Sequence, residues 1–316
     1  MNDSTISLLS LQTILQAKGP KRVVAFDTHT VYTQHQFVNA VSALYTTLQA
    51  RHETRWLLVH DNSYAFAIGL LALWAAGKEV ILPPNAQTGT LTELSLYADA
   101  FLGDTSSGNA DFTLPTLPID IHTDENGMPT LPLLDLDTLT ITLFTSGSTG
   151  KASAIRKTLR CLEAEIRVLE SLWGKLLGQA TVLATVSHQH IYGLLFRLLW
   201  PLCAGRPFAS YTHQYPEPLL ADVLQHARSV IISSPSQLKR LPPSLDLTAA
   251  RSHIVAVFSS GGPLPLEAAQ TWHKHLGQTP VEVLGSTETG GVAWRCQASP
   301  DTLWQVLPGV VLTTDA

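Results

Sequence analysis

Short runs of apolar and often β-branched residues alternate along the chain with longer segments of helical periodicity. Eight such runs predict strands, at residues 23–27, 56–60, 79–83, 139–144, 181–186, 229–234, 254–260 and 281–285. Most of them are apolar at nearly every position, which is typical of strands buried on both faces. Helical periodicity covers residues 33–50, with Thr33 as the candidate cap, and residues 158–177. This alternation predicts an α/β fold of helix-covered, largely parallel β-sheets.

The segment from about residue 104 to 137 differs because it is rich in Pro, Gly, Ser and Asp and lacks periodicity. It predicts either a long surface connection or a boundary between two α/β subdomains. We therefore predict an N-terminal domain over residues 1–300, divided into two subdomains near 105–137. Residues 301–316, which contain Pro308 and Gly309 and stop in mid-pattern, are expected to start a small β subdomain that is truncated.

Hydrophobic residues make up 45% of the 316 residues and charged residues 14%, a balance that excludes extensive disorder. The formal charge of −5 provides no basic surface for nucleic acid. The three cysteines lack metal-ligand spacing and suit a reducing compartment. The longest apolar stretch, residues 65–77, is too short to span a bilayer, and residues 1–10 lack the pattern of a signal peptide. We predict a cytoplasmic protein without a membrane span.

A loop of small and hydroxylated residues follows the predicted strand at 139–144. It reads Thr145, Ser146, Gly147, Ser148, Thr149, Gly150 and Lys151. Glycines allow successive backbone N–H groups to face one concavity, which forms an anion site. The hydroxyl groups add donors, so the loop predicts binding of the β- and γ-phosphates of a nucleotide.

Other loop chemistries fit less well. A Walker phosphate loop needs four residues between its first glycine and Gly-Lys, whereas Gly147 and Gly150 enclose two. A nucleophile elbow needs a glycine two positions before its serine, where Ser146 precedes Ser148. The remaining alternative is a flexible polar turn.

Three further motifs follow the loop in order along the chain. They are His190-Ile191-Tyr192-Gly193-Leu194, Ser260-Gly261-Gly262-Pro263-Leu264 and Gly285-Ser286-Thr287-Glu288. With the loop, they closely resemble the core motifs of the adenylate-forming superfamily, which includes acyl- and aryl-CoA synthetases, luciferases and the adenylation domains of peptide synthetases. The resemblance extends from about residue 25 to the end of the chain and implies the N-terminal large domain of such an enzyme.

The resemblance also implies a role for each motif. Thr287 would donate a hydrogen bond to the α-phosphate of ATP, and Glu288 would help to hold Mg²⁺. His190, the third candidate catalytic residue, would form a wall or gate of the carboxylate pocket rather than act as a proton donor, with His188 as its exposed neighbour. Pro263 is expected at the start of a helix. The candidate nucleotide contacts outside the phosphate loop are Gly261, Gly262, Pro263, Leu284, Gly285 and Ser286.

An AMP-forming carboxylate ligase is the function that the resemblance implies. An acyl or aryl acid would attack ATP to give an acyl-adenylate, and coenzyme A or the phosphopantetheine of an acyl carrier protein would then accept the acyl group. The alternative is a degenerate, non-catalytic module that binds a carrier protein or a partner enzyme. An unrelated nucleotide-binding kinase is disfavoured by the loop spacing. The sequence does not identify the acid.

Three departures from the family pattern bear on activity. Relatives continue the phosphate loop with x-Pro-Lys-Gly, whereas this chain continues with Lys151, Ala152, Ser153 and Ala154. Either Lys151 or Lys157 could replace the missing lysine, since a long ammonium side chain can reach phosphates from nearby. Leu284 stands where relatives commonly have an aromatic residue against adenine. The ribose-binding Asp, the hinge and the lid domain with its catalytic lysine are expected beyond residue 316, so the chain is expected to be an inactive N-terminal fragment.

Overall fold

Two β-sheets and the helices packed on them form the framework of the protein. The computed structural model describes residues 8–17, 19–104, 114–122, 130–146, 152–242, 245 and 247–313. The strands are β1 (Val23–Phe26), β2 (Val31–Thr33), β3 (Arg55–Val59), β4 (Glu79–Leu82), β5 (Ala100–Gly103), β6 (Thr116–Leu117), β7 (Thr140–Ser146), β8 (Ala152–Thr158), β9 (Thr181–Ala184), β10 (Phe208–Ala209), β11 (Ser229–Ser233), β12 (Ile254–Ser259), β13 (Val281–Ser286), β14 (Gly290–Cys296) and β15 (Gln305–Val306).

The helices lie between these strands in the chain. They are α1 (Gln34–Gln49), α2 (Ser63–Ala75), α3 (Thr88–Leu94), α4 (Leu159–Leu177), α5 (Ile191–Gly193), α6 (Trp200–Ala204), α7 (Pro216–Gln225), α8 (Pro235–Leu238) and α9 (Leu266–Leu276). A π-helical segment, Leu194–Leu199, joins α5 to α6, so residues 191–204 form one helical stretch, here called the 191–204 helix. Short 3₁₀ turns occur at Leu11–Gln16 and Ser95–Tyr97.

Both sheets are largely parallel. The smaller sheet has the strand order β6-β5-β3-β4-β7-β8, and its strands run parallel except for the antiparallel pair β7 and β8. The larger sheet has the order β15-β14-β13-β12-β11-β9-β10-β1-β2 and is parallel from β13 to β1, with antiparallel strands at its two edges. The predicted fold class, two helix-covered and largely parallel sheets, is confirmed.

All eight predicted strands are present, and their ends differ from the predicted ones by one or two residues. The described residues form seven further strands that were not predicted, namely β2, β5, β6, β8, β10, β14 and β15. Most of these are short or lie at a sheet edge, where neither length nor continuous apolarity distinguishes them from loops. β8 is the important one, because it follows the phosphate loop, pairs with β7 and contains Lys157.

The segment at 105–137 is described in part, and it contributes a strand to the smaller sheet. Its described parts include β6, which pairs with β5, and the buried side chains of Leu131 and Leu134, and the segment then leads into β7 of the same sheet. It is therefore not wholly a surface connection. The chain changes sheet elsewhere, between β2 and β3 and again between β8 and β9.

Helices α1 and α4 begin where the sequence predicts, and both contribute to the core. The Thr33 side chain accepts a hydrogen bond from Gln36 N, and Gln36 reciprocates, which forms a capping box at the start of α1. Thr158 caps α4 in a similar way. One large hydrophobic cluster contains side chains of α1, α2, α4 and the 191–204 helix together with strands of both sheets. Helix α2 is buried on all its faces, and the two sheets share this large cluster.

Hydrogen bonds also join the two sheets near the carboxyl ends of their strands. Ser63 N donates to Ser210 O at 2.7 Å, and His188 Nε2 lies 2.8 Å from His60 O. In parallel α/β sheets, ligands bind beyond the carboxyl ends of the strands. No helix in the described ranges is long and apolar enough to cross a membrane.

Candidate nucleotide and acid site

A cavity of 570 Å³ lies between α4, the 191–204 helix and the hairpin formed by β13 and β14. Its apolar walls include Val168, Leu169, Tyr192, Leu195, Phe196 and Val283. Its polar side is formed by Ser260, Gly261, Gly285, Ser286 and Thr287. Leu307 and Val310, which follow β15, close part of the same cavity. The cavity can therefore hold an apolar group beside a polar, glycine-rich edge.

A second cavity, of 220 Å³, adjoins the first. Thr145 at the end of β7, His190 and Thr287 all line it, and His190 and Thr287 also line the larger cavity. Residues from three of the four motifs thus meet at one place, although they are far apart in sequence. The fourth motif contributes Ser260 and Gly261 to the larger cavity.

The phosphate loop is described only at its start. β7 carries Thr145, whose hydroxyl donates to Ser153 O across the pair of strands at 3.5 Å. Predictions for Gly147, Ser148, Thr149, Gly150 and Lys151 lie outside the described residues, as does the side chain of Ser146. Ser153, at the position of the family's loop lysine, belongs to β8.

The hairpin of β13 and β14 presents Thr287 and Glu288 at its tip. Hydrogen bonds between Ser286 and Thr289 close the tip, with the two hydroxyl oxygens 3.1 Å apart. Gly285 is needed beneath it, because a Cβ there would lie 2.3 Å from Gly290 O. Glu288 is exposed, and hydrogen bonds from its own backbone N–H and from the Ser286 hydroxyl lower the pKa of its carboxyl group.

Glu288 offers one hard oxygen ligand next in sequence to Thr287, which lines the smaller cavity. Within the described parts of the chain, no group of three or more His, Cys, Asp or Glu side chains could hold a metal ion. Mg²⁺ is commonly bound by one or two carboxylates together with substrate phosphates, and it does not require a cage of protein ligands. The single carboxylate therefore fits Mg²⁺ that arrives with a nucleotide.

Two charged side chains from β8 and α4 hold the hairpin from the other side. The Lys157 ammonium, whose side chain is 9% exposed, lies 3.5 Å from Glu288 O and 3.9 Å from Glu165 Oε1. Gly291 N donates to Glu165 Oε2 at 3.0 Å. Burial raises the pKa of Glu165 above its usual range. Glu165 was not among the predicted site residues, because a single Glu on an amphipathic helix carries no signal in the sequence.

The two histidines of the 188–190 segment have different surroundings. His190 lies at the mouth of both cavities and is accessible there, and desolvation by the surrounding protein lowers the pKa of its imidazole. His188 is buried, and burial holds its pKa well below the usual range. The expectation that His188 is exposed was wrong, because its ring packs against Phe66 with the centroids 4.4 Å apart and bonds to His60 O.

The turn after β12 leaves space for a flat group. Gly261 has φ +85°, and a Cβ at Gly261 or Gly262 would meet no atom within 4 Å. Ser260 Oγ donates to Val283 O at 2.8 Å, which ties the turn to β13. Leu284, on the same strand, is 47% exposed.

The predicted position of Pro263 was wrong. Helix α9 begins at Leu266, and Pro265 is its N-cap, so Pro263 lies in the turn before the helix rather than at its start. Leu264 N donates to Glu282 Oε1 of β13 at 2.8 Å. Residues 263–265 therefore lie against β13, and the helix begins only after them.

Comparison with known proteins gives two kinds of match. A family model for AMP-binding enzymes matches residues 86–314. A 4-coumarate–CoA ligase from Cereibacter sphaeroides is 28% identical over 160 residues, which are 49% of this chain and 36% of that protein. The chain thus spans well under two thirds of this relative.

Solved structures match over nearly the whole chain. The ATP-bound MatB from Rhodopseudomonas palustris has a TM-score of 0.79 at 19% identity and covers 95% of this chain, which in turn covers 65% of it. A malonyl-CoA ligase in a ternary product complex with methylmalonyl-CoA and AMP has a TM-score of 0.77 at 18% identity, with coverages of 96% and 66%. At these identities the likeness shows a shared fold.

The family match covers most of the chain and includes all four motifs. The fold agrees with it, because the two solved structures named above match the chain with TM-scores of 0.79 and 0.77. The resemblance drawn from the sequence is confirmed. This chain belongs to the family of AMP-binding enzymes.

Proposed function

We propose that this protein activates a carboxylic acid by adenylation. One oxygen of the acid's carboxylate attacks the α-phosphorus of ATP, the bond from that phosphorus to the bridging oxygen breaks, and pyrophosphate leaves. The product is an acyl-adenylate. The observation that carries this proposal is that Thr145, His190 and Thr287 border one cavity, which opens into a larger apolar one.

The nucleotide would extend along the glycine-rich edge of the site. The phosphate loop at 145–151 would receive the β- and γ-phosphates, and Thr287 would donate to the α-phosphate. The turn at Gly261, Gly262 and Pro263 would lie along the adenine, with exposed Leu284 packing against it in place of an aromatic ring. Gly285 and Ser286 would pass beneath the nucleotide as part of the hairpin. Positioning and fixed donors of this kind supply most of the catalysis in phosphoryl chemistry.

Glu288 would hold Mg²⁺ together with phosphate oxygens. The metal would neutralise charge that develops on the pyrophosphate. The lowered pKa of Glu288 keeps its carboxyl group ionised at neutral pH, which suits metal binding. The pKa of His190 is lowered by desolvation, so its imidazole is neutral at neutral pH. His190 would therefore act as a wall of the carboxylate site rather than as a proton donor.

A thiol would then take the acyl group from the adenylate. Coenzyme A and the phosphopantetheine of an acyl carrier protein share the same reactive arm, and both remain candidate acceptors. The acid would place its apolar part in the 570 Å³ cavity, whose walls are mainly aliphatic and aromatic side chains. A cytoplasmic location agrees with the three free cysteines.

Binding is the first test, because the chain spans only 65% of the ATP-bound MatB that it resembles. Calorimetry should detect AMP, and also ATP in the presence of Mg²⁺. Glu288→Gln should weaken Mg·ATP binding by about tenfold, since one charged metal ligand is lost, and should leave AMP binding nearly unchanged. The exposed Glu93→Gln variant serves as a matched control. A folded protein that binds neither nucleotide would refute the proposal, and pyrophosphate exchange with a panel of acids would identify the substrate.

The second candidate is a non-catalytic module that binds a carrier protein or a partner enzyme. It is favoured by one observation, that Ser153 of β8 occupies the position of the family's loop lysine. Such a module would bind a carrier protein with equal affinity in the presence and absence of AMP. An adenylating enzyme would instead bind the nucleotide in the absence of any carrier protein.

A further inference from the structure

Glu165 is a carboxylate in the wall of an otherwise largely apolar cavity. It lies on α4 and faces the cavity together with Val168 and Leu169 of the same helix. Gly290 of β14 makes room for it, since a Cβ there would lie 2.6 Å from its Oε1. A carboxylate at this place is costly unless its oxygens accept hydrogen bonds.

Only one of the two carboxylate oxygens has a hydrogen bond of good length. Oε2 accepts from Gly291 N at 3.0 Å. The nearest charge to Oε1 is the Lys157 ammonium at 3.9 Å, which is beyond hydrogen-bond distance. The side chain is 23% exposed and lines the cavity. Oε1 can therefore accept a hydrogen bond from a molecule in the cavity.

Glu165 is positioned to contact the part of the substrate acid that is distant from the reacting carboxylate. His190 and Thr287 lie where the two cavities join, which is where the carboxylate would meet the nucleotide. Glu165 does not line the smaller cavity and faces the larger one from α4. An acid that reacts at the junction would extend its other end toward the wall that contains Glu165.

We propose that Glu165 selects acids that carry a neutral hydroxyl group on the part distant from the reacting carboxylate. This inference rests on the proposed adenylation and names its substrate class. A hydroxyl fits better than an amine, because Lys157 already places one positive charge beside Glu165 and would repel a second. The rings of Tyr192 and Phe196, 4.8 Å apart, line the same cavity and suit an aromatic body between the two ends.

A purely structural role for Glu165 makes a different prediction. If Glu165 only holds the hairpin through Gly291, its loss would weaken the binding of every acid by the same factor. If it recognises a hydroxyl, its loss would change the ratio of affinities for two acids that differ only in that group. A site built to bind a hydroxyl discriminates strongly against the analogue that lacks it, because the polar group is then left unpaired.

The test uses acyl-sulfamoyl adenosines, which mimic the acyl-adenylate, and measures their dissociation constants by calorimetry. Two pairs are compared, 4-hydroxybenzoyl with benzoyl and 3-(4-hydroxyphenyl)propanoyl with 3-phenylpropanoyl, so that two lengths are sampled. The 4-aminomethyl analogues test a cationic donor. We expect the protein to bind the hydroxylated member of at least one pair roughly tenfold more tightly or better, and the cationic analogue more weakly.

Two variants of Glu165 are compared with a control variant of a neighbouring residue on α4. Glu165→Met, which removes the acceptor, should bring the ratio close to one, while Glu165→Gln, which keeps an acceptor oxygen for Gly291, should give an intermediate ratio. Val168→Ala enlarges the same wall without changing its polarity and should leave the ratio unchanged. AMP binding is measured in every variant.

The outcomes separate this inference from the proposed function. Failure of the wild-type protein to bind AMP overturns both. If AMP binds but neither pair shows selectivity, or if Glu165→Met lowers both affinities equally, the inference is overturned while the proposed adenylation stands. Preference for the cationic analogue likewise overturns the assignment of a neutral hydroxyl.

Discussion

Lys157 illustrates how much a single side chain can depend on its surroundings. Its ammonium is nearly buried, and it reaches the backbone carbonyl of Glu288 and the carboxylate of Glu165, which belong to two other elements. A buried lysine is stable in this setting because an acceptor and an opposite charge compensate for the loss of water.

We expect Lys157→Met to weaken Mg·ATP binding by roughly tenfold, because the hairpin tip loses its anchor and the nearby positive charge. Lys157→Arg should recover part of the affinity, since a guanidinium can reach the same two oxygens. Calorimetry measures the affinity and thermal melting reports on the fold, with the exposed Lys21→Met as the control. Unchanged Mg·ATP affinity in Lys157→Met would show that Lys157 does not contribute to the nucleotide site.

His188 predicts a dependence of stability on pH. Burial places its native pKa well below the value of 6.5 expected in the unfolded chain. Above pH 6.5 the imidazole is neutral in both states and the stability is fully present. As the pH falls below 6.5, the unfolded chain takes up a proton that the native protein cannot, so the free energy of unfolding decreases.

His188→Gln should reduce the loss of melting temperature between pH 7.5 and 5.5, because its amide N–H can replace the bond to His60 O without titrating. Part of the loss should remain, since burial also lowers the pKa values of His60 and His190. Melting curves at constant ionic strength provide the measurement, and the exposed His122→Gln is the control. An equal loss in the variant and the wild type would contradict the assignment.

Residue roles were predictable only where they belong to a motif. Thr287 and Glu288 follow a buried strand within a recognisable pattern; Thr287 lines both cavities, and Glu288 is exposed beside it at the hairpin tip. Glu165 and the buried state of His188 could not be predicted, because both depend on which distant segments pack against them. Spacing along the chain contains no information on such contacts.

The helical stretch at 191–204 depends on a close approach at its first turn. A Cβ on Gly193 would lie 1.9 Å from Ser187 O, so the turn that carries His188 and His190 closes tightly against the helix. This contact fixes His190 relative to the cavities. Glycine is needed here for space rather than for its backbone angles, since Gly193 has an ordinary helical φ.

Gly193→Ala should destabilise the protein by about 3 kcal/mol or more, because the new methyl group overlaps a backbone oxygen that must move. Gly89→Ala in α3 is the matched control, since its Cβ would meet nothing within 4 Å, and it should be neutral or stabilising by up to about 1 kcal/mol. Urea unfolding of both variants gives the comparison. Equal stability of the two would mean that the turn is not as tight as described.

Elements were predicted well where burial on both faces produces a continuous apolar run, as in β11 and β12. They were missed where a strand is stabilised by its neighbour rather than by its own composition. β8 is the clearest example, since it contains Arg156 and Lys157 and exists because it pairs along its whole length with β7. Pairing between strands that are separated by a loop is a tertiary effect.

At the scale of the whole molecule, the site combines both sheets. The smaller sheet supplies the start of the phosphate loop after β7, and the larger sheet supplies the turn after β12 and the hairpin of β13 and β14. A nucleotide bound there would contact both sheets at once and should stabilise the protein as one unit.

At one hundred times its dissociation constant, AMP should therefore stabilise the native state by about 2.7 kcal/mol. For a chain of this size, that corresponds to a rise in melting temperature of roughly 4 °C, in a single transition. Scanning calorimetry with and without AMP provides the measurement, and adenine-free ribose 5-phosphate is the control. Two transitions, of which only one shifts, would indicate that the nucleotide contacts one sheet alone.

The order of the strands also has a consequence for folding during synthesis. The smaller sheet uses strands from one continuous part of the chain, β3 to β8, whereas the larger sheet joins β1 and β2 to strands that follow β8. As the chain leaves the ribosome, the smaller sheet can form first, while β1 waits for its parallel partner β10. During that interval β1 has an unpaired edge, which is a template for aggregation. We expect the nascent protein to need a chaperone most between the synthesis of these two strands.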